Sequence, residues 1–407
     1  MIAPLDRRRE RWVLLLLTAV QFTHVLDFMI LMPLGPQLMR AFGITASQFG
    51  ALVSAYNFSA GAAGLLATFV LDRWDRKRAL LWLYGGFALA TLSCALAPTY
   101  PALLGARVLA GAFGGVAASQ VLAMVGDLVP IERRGAAFGM VMSGFSLAAV
   151  AGVPAGLWLA QLADWHTPFS TLSVVAVGLG LAMLRILPSV PPHPEPGGVR
   201  AALERARQIA IHPNHLRAFA LTLVLAFAAF LVFPYLSPSL VANAGFPERH
   251  LPLVYIVGGT ATIFATNFVG RMSDRYGRLR MYRIGAVASM VPVMIVTHLP
   301  VLPVALTLVC TALFMSLNST RIVPATAMIT ASVLPRQRGG FMSLNAALQQ
   351  LGGGLAVSVA AWIVDQDAAG HLLHYGTIGW VSVGLIVITL FLAGRLRVAD
   401  TGNRPTT

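Results

Sequence analysis

The sequence predicts an all-α membrane protein whose twelve transmembrane helices form two pseudo-symmetric six-helix bundles. Three observations carry this reading: a composition too apolar for a soluble globule, twelve long apolar stretches, and an internal repeat at half the chain length. Of 407 residues, 57% are hydrophobic and 11% charged, with a mean hydropathy of +0.75. A soluble fold of this size needs more polar surface to face water.

The apolar stretches run approximately over 12–39, 46–71, 77–98, 101–129, 136–161, 165–187, 216–242, 251–272, 279–299, 301–333, 340–365 and 372–394. At ~1.5 Å per residue, stretches of about 20 to 30 residues cross a hydrocarbon core of roughly 30 Å. In lipid each segment must satisfy its own backbone hydrogen bonds, which at this length means helices. The first stretch follows Arg7, Arg8, Arg9 and Arg11 as a signal peptide would, yet it is too long for one and carries His24 and Asp27, so it reads as a retained helix. Cys94 and Cys310 fall inside stretches without metal-ligand spacing and read as small apolar packers.

The net charge of +14 raises nucleic acid as a partner, and its placement excludes it. Of the 29 Lys and Arg residues, Arg107 and Arg321 lie inside stretches and Arg40 and Arg249 in loops on one face; the others lie on the opposite face. The positive-inside rule assigns that basic face, with both termini, to the cytoplasm.

The repeat is visible in ordered anchors. Pro36, Gly43 and Asp72-Arg73-Trp74-Asp75-Arg76 recur as Pro238, Gly245 and Asp274-Arg275-Tyr276-Gly277-Arg278, all at an offset of 202. The chain therefore divides into an N-terminal bundle (1–187), a linker (188–215) rich in proline and glycine with a basic helical tail, and a C-terminal bundle (216–407). Two similar bundles about an axis along the membrane normal place a solute site at their interface near the midplane.

The loop after the second stretch, Thr68 through Lys77, follows the pattern G-x-x-x-D-R-x-G-R-[KR] with Asp72, Arg73, Arg76 and Lys77 in register, while Thr68 and Asp75 stand at the glycine positions. The second copy matches at Gly270, Asp274, Arg275, Gly277 and Arg278. On these motifs the chain resembles the major facilitator superfamily over essentially its whole length. The fourth stretch carries Arg107-x-x-x-Gly111-x-x-x-Gly115, similar to the pattern of proton-coupled members. The fifth carries Ala148-x-x-x-Gly152-Val153-Pro154-Ala155-Gly156, a partial match to the exporter signature that resembles the drug and arabinose-efflux-like groups. The resemblance implies a cytoplasmic gate at Asp72, Arg73, Arg76 and Asp127, echoed by Asp274, Arg275 and Arg278, whose ion pairs form in one state and break in another. Gly111, Gly115, Gly152, Pro154 and Gly156 read as helix-packing positions.

Within the stretches, ionisable side chains are costly unless paired or facing a wet cavity. Asp27 and His24 share one face of the first helix at i and i+3, and their repeat positions are Ala229 and Ala226, so the duplicated scaffold does not itself need them. Arg107 sits at a depth that matches Asp27, so two readings stand: a protonatable, functional Asp27 held by Arg107, or a structural ion pair. His24 is either a proton relay or a satisfied core histidine. Arg321, with Asn318 one turn before it, breaks the repeat in the tenth helix and reads as a cavity group able to take an anion or as a side chain bonded to helix carbonyls. Phe28, Tyr56 and Tyr235 are candidate cavity liners. With no G-x-x-x-x-G-K-[ST] loop and no metal-ligand cluster, the sequence points to no cofactor, no metal and no enzyme activity. The expectation is a secondary transporter in a bacterial cytoplasmic membrane, with a small-molecule substrate, protons and lipid as partners, no nucleic acid, and a monomer sufficient for the fold. Proton-coupled efflux of a drug-like or sugar-like solute is the leading reading. An importer or proton-independent facilitator, and a non-transporting receptor or scaffold, are the alternatives.

Overall fold

The long apolar stretches become the helices. In the computed structural model, which describes residues 6–71, 74–191 and 198–399, twelve helices among the described residues are long and apolar enough to cross a membrane. They are α1 (Arg7–Ile30), α2 (Ala46–Ala67), α3 (Arg76–Ala95), α4 (Tyr100–Leu128), α5 (Arg134–Leu162), α6 (His166–Ile186), α7 (Pro213–Ala242), α8 (Glu248–Tyr276), α9 (Arg278–Thr297), α10 (Val304–Ala331), α11 (Arg338–Ile363) and α12 (Tyr375–Arg395). Part of the basic linker forms a further helix, Gly198–Ile211. Asp72, Arg73 and the proline-rich 192–197 lie outside the described residues.

The packing repeats as the sequence does. In the first half α2 packs on α4, α3 on α4 and α6, and α1 on α5 and α6; in the second, α8 packs on α10, α9 on α10 and α12, and α7 on α11 and α12. Between the halves α2 packs along α11 and α5 along α8. The repeat extends to single dihedrals: Gly43 and Gly245 both adopt a left-handed φ, +60° and +61°, where a Cβ is disfavoured.

Among the described residues four of the spans are broken away from their ends, each beside a proline. The first stretch is not one helix over 12–39: α1 stops at Ile30, turns around Pro33 and resumes as a short helix, Gly35–Phe42. Its counterpart α7 tightens into a 3-10 turn, Phe233–Tyr235, at Pro234. In α5 a π-helical segment, Ala148–Gly152, precedes Pro154, and α10 divides at Arg321, three residues before Pro324. Proline has no N–H for the carbonyl four residues earlier and its ring clashes there, so the helix bends or restarts.

The glycine missing from the first loop motif is replaced by a cap. Asp75 has φ −57°, needs no glycine, and its carboxylate accepts the backbone N–H of Arg78 at 2.9 Å, closing the first turn of α3. Partial burial opposes the charge of Asp75, but hydrogen bonds from the Ser189 hydroxyl and the Arg78 N–H win and hold its carboxyl below the usual range. In the second copy Gly277 sits at φ +92°, with open space where a Cβ would stand. Gly277→Ala is therefore expected to lower stability by about 1–3 kcal/mol through backbone strain alone. Thermal unfolding of the purified protein checks this, and Asp75→Gly should lose the cap without creating strain.

The halves are sealed together at the arginine-poor face. Arg40 Nη2 lies 2.7 Å from Glu248 Oε2, and Gln161 Nε2 donates to the Glu248 carbonyl at 3.1 Å. The Tyr235 hydroxyl donates to the Ala46 carbonyl at 3.2 Å, and its ring meets Phe49 edge-on. A Cβ on Gly35 would lie 2.8 Å from Pro238, and one on Gly50 2.7 Å from that of Ala361, so these glycines make room for side chains of the other half. At the basic face the ion pairs Arg76–Asp127 and Arg133–Glu10 lie within the first half.

Candidate functional site

Inside the first bundle, polar groups from four helices converge around Asp27. Its Oδ2 is 2.9 Å from Arg107 Nη1 and its Oδ1 accepts the Thr91 hydroxyl at 3.2 Å. The Asp27 and Arg107 side chains are 0% and 1% exposed. Arg107 also donates to the Asp27 carbonyl at 3.4 Å, and its guanidinium lies 4.5 Å above the centre of the Tyr56 ring. The Tyr56 hydroxyl reaches His24 Nδ1 at 3.0 Å. A continuous chain of contacts thus runs His24–Tyr56–Arg107–Asp27–Thr91 through α1, α2, α4 and α3.

The backbone makes room for this chain. A Cβ on Gly111 would stand 2.3 Å from the Tyr56 carbonyl, and one on Gly115 2.7 Å from the Ala60 Cβ, so these positions let α4 lie against α2 and bring Arg107 over Tyr56. Gly152 and Gly156 do the same for α5 against Phe22 and Ile30 of α1, and Pro154 lies buried beside them. Gly114 was not singled out from the sequence, although a Cβ there would press on both His24 Nδ1 and the Tyr56 hydroxyl, at 2.9 and 3.0 Å.

Energetically the pair is self-contained. Removing a carboxylate and a guanidinium from water costs several kcal/mol each, and close geometry with a second hydrogen bond offsets that cost. Taking away either partner strands the other. Arg107 Nε has no partner, so the guanidinium is not fully satisfied by the carboxylate it holds. The side chain that leads out of this chain toward the second half is Phe28, which packs on Tyr56 at 5.2 Å between centroids and on Phe230 of α7 at 5.9 Å.

The other sequence candidates fall into place unevenly. Tyr235 belongs to the seal at the arginine-poor face. Arg321 and Asn318 come together in the second bundle, where an Arg321 Nη2 hydrogen bond to Asn318 Oδ1 is the guanidinium's hydrogen bond within the protein. At the basic face Arg76 Nε is 3.1 Å from Asp127 Oδ2 and Arg76 Nη1 is 3.4 Å from Gln120, joining α3 to α4. Their repeat counterparts Asp274, Arg275 and Arg278 are exposed; Arg278 donates to the Ala327 carbonyl at 3.3 Å and Arg275 lies over Tyr276, without a described ion pair to Asp274. Sequence reasoning missed Thr91, a hydroxyl in the middle of α3, and the Arg40–Glu248 pair, whose signal was a lone arginine in each of two loops on a face otherwise free of them.

Twelve apolar helices in two matched bundles, the first of them enclosing a self-neutralised ion pair, have the form of a membrane carrier. The family model described as Major Facilitator Superfamily matches residues 17–357 and 218–407, and the chain belongs to that family. It is 27% identical over 408 residues to a chloramphenicol resistance protein of Streptomyces lividans, spanning 96% of this chain and 97% of that one. It is also 25% identical over 239 residues to a probable sugar efflux transporter of Helicobacter acinonychis, spanning 58% and 60%. Among solved structures, a D-xylose-proton symporter superposes with a TM-score of 0.76 at 15% identity over 94% of this chain and 97% of that one, a likeness of fold.

Proposed function

We propose that this transporter is a proton-coupled exporter of a small drug-like or sugar-like solute, working by alternating access with its basic face and termini in the cytoplasm. The observation that carries the proposal is the Asp27–Arg107 pair. A carboxylate that is fully buried with two protein partners stays in the membrane only while Arg107 holds it or while a proton neutralises it. Arg107 keeps its charge in any such setting, so a proton or a solute group competes with it for Asp27. Rocking of the halves about α2–α11 and α5–α8 exposes the pair to each face in turn, which makes the exchange of partners a transport step.

Export is favoured by the fifth-helix motif and by relatives whose names describe chloramphenicol resistance and sugar efflux. The gate at the basic face is Arg76–Asp127, with Asp72 and Arg73 beside it in sequence; Asp274, Arg275 and Arg278 mark the equivalent loop in the second half. The seal at the arginine-poor face, including Arg40–Glu248, is the opposing gate in its closed position.

The test uses the purified full chain in liposomes that trap a pH-sensitive dye, with panels of phenicols, lipophilic cations, sugars and sugar acids. Antiport is expected to give opposed proton and solute fluxes for at least one compound. Tracer flux of that compound without proton movement would instead make the chain a facilitator.

A further inference from the structure

The two bundles treat buried charge differently. Among the described residues the buried charged side chains are Glu10, Asp27, Arg107 and Arg321, and Glu10 lies at the basic face with Arg133. The first bundle is therefore neutral inside, Asp27 against Arg107. The second holds Arg321 alone. Its described carboxylates, Glu248, Asp274, Asp365 and Asp367, all sit at helix ends or in loops.

Arg321 is 1% exposed, yet its Nε and Nη1 have no hydrogen-bond partner, and Nη2 is occupied by Asn318 Oδ1. A guanidinium offers five N–H donors in a flat fork shaped for a carboxylate. Here Nε and Nη1, each of which forms one edge of the fork together with Nη2, have no acceptor, so each edge keeps a free donor. Burying donors without an acceptor costs free energy, and a carboxylate placed against them offsets that cost.

Arg321 also stands at a break. It ends the segment Val304–Thr320 and precedes the ten-residue segment Ile322–Ala331, with Pro324 preventing continuity. Counting along α10, it lies ~26 Å from one end of the span and ~15 Å from the other, well inside a bilayer. The start of the second segment carries N–H groups with no intrahelical acceptor and the positive end of a helix dipole. Discontinuous helices with free N-terminal ends are a recurring way for transporters to hold anionic groups at mid-membrane depth. Two independent features, a buried guanidinium with two of its three nitrogens unpartnered and a helix N-terminus, thus sit at one residue.

We propose that Arg321, positioned by Asn318 and assisted by the N-terminal end of Ile322–Ala331, binds a carboxylate on the transported solute, so that the solute class is an organic acid such as an aryl carboxylate or a sugar acid. The proposal rests on the transport reading above and names the solute for it. Binding supplies the charge that the second bundle lacks, as Asp27 supplies it for Arg107 in the first. The site is sealed in this state and opens to the solute when the halves rock.

Thermal unfolding of the purified full chain tests this with matched probes: benzoate against benzamide, and gluconate against glucose. At least one carboxylate is expected to raise the unfolding midpoint well beyond its neutral partner. Arg321→Gln should weaken that carboxylate's binding by roughly tenfold or more, the loss of a charge-assisted hydrogen-bonded contact, with Arg321→Lys falling between. Without probe, Arg321→Met should unfold at the same or a higher temperature, because it removes an uncompensated charge; a structural arginine would show a drop. Equal shifts for each acid and its neutral partner, or a carboxylate shift that survives in Arg321→Gln, overturns the site. The measurement needs no proton gradient. Failure here with Asp27-dependent proton flux intact removes only the anion site, and the reverse removes only the coupling.

Discussion

Arg107→Met is expected to destabilise the protein by about 3–5 kcal/mol, because it leaves the Asp27 carboxylate buried with Thr91 as its remaining side-chain partner. The loss of the guanidinium stacked on Tyr56 adds to this. Most of the loss should be recovered in the double variant Asp27→Asn/Arg107→Met, in which neither charge remains. A double-mutant cycle by thermal unfolding measures the coupling. A recovery close to zero would mean that the two side chains are not energetically paired.

Asp27→Asn carries the largest functional expectation. Asparagine keeps the shape and accepts from Thr91, but binds no proton in exchange for Arg107. Solute-driven proton movement in liposomes should fall to background, while solute-for-solute exchange continues, since rocking of the halves needs no net proton. Asp27→Glu should retain coupling at a reduced rate. If Asp27→Asn couples as the native chain does, the proton travels elsewhere.

Much of this was legible in the sequence because membrane helices announce themselves by length and apolarity, and because duplication supplies an internal control. Ala226 and Ala229 at the repeat positions of His24 and Asp27 show that the duplicated scaffold does not itself need those two side chains. Depth counting along α1 and α4 brought Asp27 and Arg107 to one level, and the pair formed there. What the sequence did not reveal depends on rotation about helix axes. Nothing in α3 distinguishes Thr91 from other small polar residues, yet its face of the helix makes it a partner for Asp27. Composition alone does not choose among the neighbours of the Tyr56 hydroxyl; its contact with His24 requires the close approach that Gly111 and Gly114 permit. The apolarity of the first stretch continues past Pro33, so hydropathy alone does not mark the bend there. Asp75 in place of glycine weakened the loop motif on paper, whereas in three dimensions the cap it forms makes glycine unnecessary.

The central claim is that Asp27 exchanges Arg107 for a proton during transport. Infrared difference spectroscopy of the native chain and Asp27→Asn, recorded between acid and alkaline pH and on adding a transported solute, addresses it directly. Exchange predicts a carboxylic-acid carbonyl band that appears on acidification, changes with solute, and is absent in Asp27→Asn. A band that persists in Asp27→Asn, or no protonated buried carboxyl under any of these conditions, contradicts it.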